Sequence, residues 1–121
     1  MLDNLKDIEV VPGEGEDELC PMPDIAKLIG GKWKLIILQI LIFKGTKRFN
    51  ELRRMIDGIT QTMLTSQLRA LEADGLVSRK LYPEVPPRVE YTATQMALDL
   101  QDMFLEMHKW WLNHSDAGQD G

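Results

Sequence analysis

Pro83, Pro86 and Pro87 fall between two short runs of strand character, Leu76–Tyr82 and Arg88–Ala93, in a chain whose other periodicities are helical. Proline lacks the donor that a sheet ladder needs and fixes φ, so this segment cannot lie inside a sheet. It must be the exposed loop of a two-stranded finger. In the second run Val89, Tyr91 and Ala93 alternate with Arg88, Glu90 and Thr92, the period of a half-buried strand. A small protein built mainly of helices therefore has to support one stiff β-hairpin.

The residues before the hairpin say what supports it. Arg48–Ile56 places Phe49, Leu52 and Ile56 on one helical face, and Asp57-Gly58 closes that helix. Thr60 is positioned to cap a second helix over about 60–74, with Gly75 as its stop. Two short helices around a tight Asp-Gly turn form a helix-turn-helix pattern. A hairpin directly after it, at about 77–93, reads as a wing. Upstream, Trp33–Phe43 is apolar in nearly every direction around a helix, which predicts a central buried helix ended near Gly45. Asp24 is expected to cap a short helix over Ile25–Ile29, with Gly30-Gly31 ending it. Thr94 is expected to cap one long helix running to about Asn113.

The expected fold class is mainly α with a small β-hairpin wing: a winged helix-turn-helix with N- and C-terminal dimerisation helices. The division is an acidic, flexible tail at 1–19, a domain at 20–114 and a tail at 115–121. The N-terminus lacks a basic-then-apolar signal peptide, and Leu35–Phe43 is too short to span a bilayer. A cytoplasmic protein without a membrane partner is expected. One cysteine, Cys20, excludes an internal disulfide framework. His108 and His114 lie six apart, not at the i, i+4 spacing of a helical metal pair. No nucleophile–base set, phosphate loop or paired carboxylates stand out. No enzyme, metal or cofactor is expected.

The net charge of −5 hides a division. Residues 1–26 carry one basic and eight acidic side chains, residues 27–91 twelve basic and six acidic, and residues 92–121 one basic and five acidic. A basic middle between acidic ends fits a polyanion-binding segment or a solvated surface. The second helix of the pair tilts the choice. Leu64, Leu68 and Leu71 form its apolar stripe, while Gln61, Thr62, Thr65, Ser66 and Arg69 make a separate face without an acid. Short polar side chains let a helix backbone approach bases. Gln can bridge adenine N6/N7, and Arg can grip guanine O6/N7. These five are the candidate base readers. Lys32, Lys47, Arg48 and Arg53, with Lys80 and Arg88 near the wing loop, are the candidate phosphate contacts.

Residues 30–92, with GGKWK, KRFNELRR, the GIT start of the second helix, LEADGLV and YPEVPPRVEYT in order, resemble the HxlR-type family of winged-helix regulators within the MarR-like group. Cys20-Pro21 falls where that family often has a Cys-Pro pair. One departure follows the wing: the family usually reads T-x-x-G, and this chain has Thr94-Gln95-Met96-Ala97. The resemblance implies a homodimer on a pseudo-palindromic double-stranded operator, with two recognition helices ~34 Å apart. It also implies that Cys20 is a candidate sensor of oxidants or electrophiles.

The residues add their own support for pairing. Met96, Leu100, Met103, Met107 and Trp110 step by 4, 3, 4, 3, with Phe104 and Trp111 in a second row. That spacing suits a helix–helix seam. A thiol just ahead of a helix N-terminus meets the positive end of its dipole, which favours reactivity, although Asp24 and the acids before Cys20 oppose it. Two alternatives stay open. Winged helices also serve as protein-interaction modules, and Met103, Phe104, Met107 and the Trp pair could line a pocket for a small apolar effector.

Overall fold

The computed structural model describes residues 20–115, in two compact units that divide at Gly30. The tails expected at 1–19 and beyond 115 lie outside the described residues. In the first unit α1 spans Met22–Ile29. It begins before Asp24, so that residue is not its cap. Pro21 takes the cap position and a second proline falls in the first two positions, where a fixed φ and a missing donor cost nothing. Asp24 instead lies in the first turn, where its charge complements the dipole. A Cβ at Gly30 would collide with the Ala26 carbonyl oxygen, so glycine is required at this exit.

The second unit is built around α2, Lys32–Lys44. Ile37, Leu38, Ile40, Leu41 and Ile42 are buried. The expectation of burial all round fails on one stripe. Leu35, Gln39 and Phe43 stay open, Phe43 by 41%. Gly45, at φ +88°, ends the helix.

The chain then forms β1, Lys47–Arg48, which sequence periodicity did not reveal, and α3, Phe49–Met55. Glu51 Oε1 accepts from the Arg48 N–H at 2.7 Å and fixes the start of α3. After the turn at Gly58 (φ +86°), α4 spans Gln61–Ala73. Thr60 caps it as expected, its Oγ1 accepting from the Met63 N–H at 3.1 Å. At the far end Gly75 N–H donates to Glu72 O and Leu76 N–H to Leu71 O, the paired bonds of a Schellman cap. Buried Leu64, Leu68 and Leu71 turn α4 onto a core that includes Leu38, Leu52 and Val77.

Strands β2, Val77–Tyr82, and β3, Arg88–Ala93, pair antiparallel, with Val77 opposite Ala93 and Tyr82 opposite Arg88. β1 adds to the other edge of β3, with Lys47 opposite Tyr91. The wing therefore grows from a three-stranded sheet of order β1-β3-β2, not from an isolated hairpin.

The long C-terminal helix is divided. Thr94 Oγ1 accepts from the Ala97 N–H and caps only α5, Gln95–Leu98. α6 spans Gln101–His114. Between them the Leu100 N–H bonds three residues back, to Ala97 O, tightening the turn. Asp99, a weak helix former, accepts a side-chain bond from Gln95 at 2.9 Å. Ala97 is fully buried.

Candidate nucleic-acid interface

α3, the Gly58 turn and α4 set one polar surface on the second unit. Gln61, Thr62, Ser66 and Arg69 are exposed and Thr65 is half-buried. The structure therefore brings all five candidate base readers to the accessible side of one helix, opposite its leucines. Among the described residues Arg69 has no ion pair. The acid on α4, Glu72, lies nearer its C-terminal end and is already paired, 3.4 Å from Arg79 Nε on β2. This pair ties α4 to the wing. Thr65, Leu68, Arg69, Glu72, Arg79 and Tyr91 line a polar hollow of about 250 Å³ between helix and sheet. Burial there pushes the Tyr91 phenol above its ordinary value, against the opposing charge of Arg79.

The candidate phosphate contacts are spread over the same unit. Lys32 is exposed and holds its ammonium 4.6 Å from the Trp33 ring. Lys47 Nζ donates to Lys44 O at 3.1 Å. Arg48 is exposed at the head of α3. Its backbone N–H holds the Glu51 carboxyl below the usual range, helped by the charges of Lys47, Arg48 and Arg54. Arg53 is exposed beside Asn50, Arg54 and Asp57 around a second polar hollow.

The wing cations are placed differently. Side chains alternate faces along a strand. Arg79, Leu81, Val89 and Tyr91 share the face that looks toward α4, while Lys80, Tyr82, Arg88 and Glu90 share the other. On that far face the Arg88 guanidinium stacks 3.9 Å above the Tyr82 ring, and Lys80 Nζ lies 5.0 Å from the same ring. Arg88 also pairs with Glu84 at 3.2 Å. Its Nε lies 3.5 Å from Glu90, too poorly aimed for a hydrogen bond, and is buried without another partner. Sequence reasoning left Tyr82 out of the site. The signal was the strand register, which shows which side chains share a face.

The pairing candidates gather on α5 and α6. Met96, Met107, Trp110 and Trp111 are exposed, and Leu100, Met103 and Phe104 are half-buried. Phe104, Met107, Trp110 and Trp111 meet Leu35, Gln39 and Phe43 of α2 across an open cleft of about 530 Å³, and Met103 does not line it. His108 lies in the cleft lining, and His114 stacks on Trp110 with ring centroids 5.0 Å apart. In the first unit Cys20 is a free, half-buried thiol ahead of α1. Among the described residues no His, Cys, Asp and Glu group could hold a metal ion, and no helix is long and apolar enough to cross a membrane.

A family profile described as HxlR-like helix-turn-helix matches residues 28–119. The chain belongs to this HxlR-like family. A relative from Bacillus subtilis, the HTH-type transcriptional regulator YybR, is 48% identical over 83% of this chain and 79% of its own. The redox regulator HypR in its oxidised form is 47% identical, with TM-score 0.71 over 78% of this chain and 97% of that one. The reduced form of the transcriptional regulator YodB from B. subtilis is 36% identical, with TM-score 0.74 over 84% and 99%. HypR in reduced form and YodB treated with diamide also match. The HxlR-like chain is thus a transcriptional regulator of helix-turn-helix type, a non-enzymatic class, on a winged-helix fold.

Proposed function

We propose that the protein is a dimeric, cytoplasmic regulator that binds a pseudo-palindromic site in double-stranded DNA. In this reading α4 enters the major groove and the wing lies beside it. The observation that carries the reading is the exposed, acid-free face of Gln61, Thr62, Thr65, Ser66 and Arg69 on the second helix of a helix-turn-helix. Lys32, Lys47, Arg48 and Arg53 hold phosphates. The apolar face of α6, with Trp110 and Trp111 exposed, favours pairing of two copies. Oxidation of Cys20 shifts that pairing and alters operator affinity. Its support is the free thiol here and the redox regulators among the relatives.

Fragments of sheared genomic DNA should be selected on the protein with and without diamide, at fixed salt. Enrichment of one inverted repeat is expected. No enrichment in either condition overturns the DNA-reading assignment. Gln61→Ala or Arg69→Ala should relax base preference, each removing a bidentate pair that discriminates by about 1–3 kcal/mol. Cys20→Ser should abolish any diamide response. The apolar cleft beside α6 favours a second reading, in which a small aromatic effector tunes the dimer. Quenching of tryptophan fluorescence by such a probe, abolished in Phe104→Ala, would support it.

A further inference from the structure

The wing carries bases in its sequence, yet little free charge toward the recognition helix. Arg88 is turned to the far face, stacked on Tyr82 and paired with Glu84. Arg79, on the near face, is paired with Glu72. Beyond Arg79 the near face continues as Leu81 opposite Val89, with Leu81 56% exposed. At the tip of the loop, between Pro83 and Pro86, Val85 is fully exposed. A continuous track therefore runs from the polar face of α4, past Arg79 and Tyr91, onto an uncharged apolar edge.

An apolar edge gains nothing from phosphates, whose hydration it would disturb. Deoxyribose walls are the apolar part of a duplex, and they line the minor groove that flanks a major-groove helix. We propose that the wing meets DNA through Leu81, Val85 and Val89 laid against minor-groove deoxyriboses, and that Arg88 is a positioning residue that braces the hairpin rather than a phosphate contact. This rests on the DNA-binding reading above. The brace explains why a half-buried guanidinium, held between Glu84 and Glu90 with its buried Nε making no hydrogen bond, is kept so near an exposed tip: it fixes the two strands before binding, so less ordering entropy is given up when DNA is met.

Binding of the full chain to a labelled duplex carrying the enriched repeat should be titrated over a range of salt. Val85→Ala should weaken binding about ten- to fifteenfold, as expected for burying two methyl groups. Its log–log salt slope should stay unchanged. Arg88→Ala should also weaken binding without altering the slope, whereas Lys47→Ala should flatten it by about 0.9. Hydroxyl-radical footprinting reads the deoxyriboses directly. Flanking minor-groove protection should be present in the wild type and absent in Val85→Ala, with central protection kept. Wild-type affinity and footprint in Val85→Ala would overturn the tip contact. A slope flattened by about 0.9 in Arg88→Ala would make Arg88 a phosphate ligand and overturn the brace. If Lys47→Ala and Arg69→Ala also bound as wild type, the DNA-binding reading itself would fall, an outcome distinct from a failed wing.

Discussion

Replacing Thr60 by alanine removes the side-chain acceptor that serves the first turn of α4. Its Oγ1 lies 3.1 Å from the Met63 nitrogen, and the residue holds the extended backbone of a cap, φ −87° and ψ 164°. The site is exposed, so water takes up part of the loss, and the cost should be ~1 kcal/mol. Unfolding entropy is about 2.1 cal/mol/K per residue, so for a body of roughly 90 residues the Tm should fall by about 5 °C. Thr60→Asp separates stability from recognition. It keeps an acceptor and adds a negative charge at the positive end of α4, worth about 0.3–1 kcal/mol, so its Tm should equal or exceed that of the wild type. The same charge would stand among phosphates when α4 enters a groove, so DNA affinity should drop. Thermal unfolding by circular dichroism at fixed protein concentration, with anisotropy titrations on the same samples, reads both quantities. An unchanged Tm in Thr60→Ala, or a Thr60→Asp variant that binds like wild type, would refute the reasoning.

Leu64 is fully buried beneath the recognition face, and Leu64→Ala should cost about 2–5 kcal/mol in urea denaturation. Lys47→Ala and Arg53→Ala should weaken binding to all sequences alike and each lower the salt slope by about 0.9, measured by titration at several ionic strengths. Tyr91 supplies a pH test. Its phenol is raised above the ordinary 10.0 by burial, so the fold retains the proton more strongly than the unfolded chain. The stability this gives is complete below pH 10 and is lost as pH rises through the folded value. Tyr91→Phe should therefore show a shallower alkaline loss of stability in pH-dependent melts.

Most of the helix-turn-helix and its wing was legible in the sequence because its elements are punctuated. Thr60 before a periodic leucine stripe and Gly75 after it bound α4, and Gly58 marks the turn. The alternation in 88–93 gave the faces of β3 correctly. Other features depend on partners that periodicity cannot name. β1 has two residues and exists because β3 offers it an edge. The open stripe of Leu35, Gln39 and Phe43 recurs every four residues, but the surrounding apolar positions masked it. The joint at Asp99–Leu100 lies inside an unbroken 4-3-4-3 pattern, which continues across the tightened turn. In the sequence Arg88 shows only its charge. The cross-strand register, Tyr82 opposite Arg88, reveals the ring that takes its guanidinium.

The short strand β1 alters what the wing can measure. Lys47 and Arg48 pair directly with Tyr91 and Glu90, so the start of α3 and the root of the wing are rungs of one ladder. A hinge at that root would let the wing follow DNA of any contour. A shared ladder instead makes the two parts a caliper with a set opening. On the proposed DNA-binding reading, duplexes whose backbone and neighbouring groove match that opening would bind without distortion, and others would have to bend or widen to fit. Deformability would then become part of the address, read at base pairs that no side chain touches.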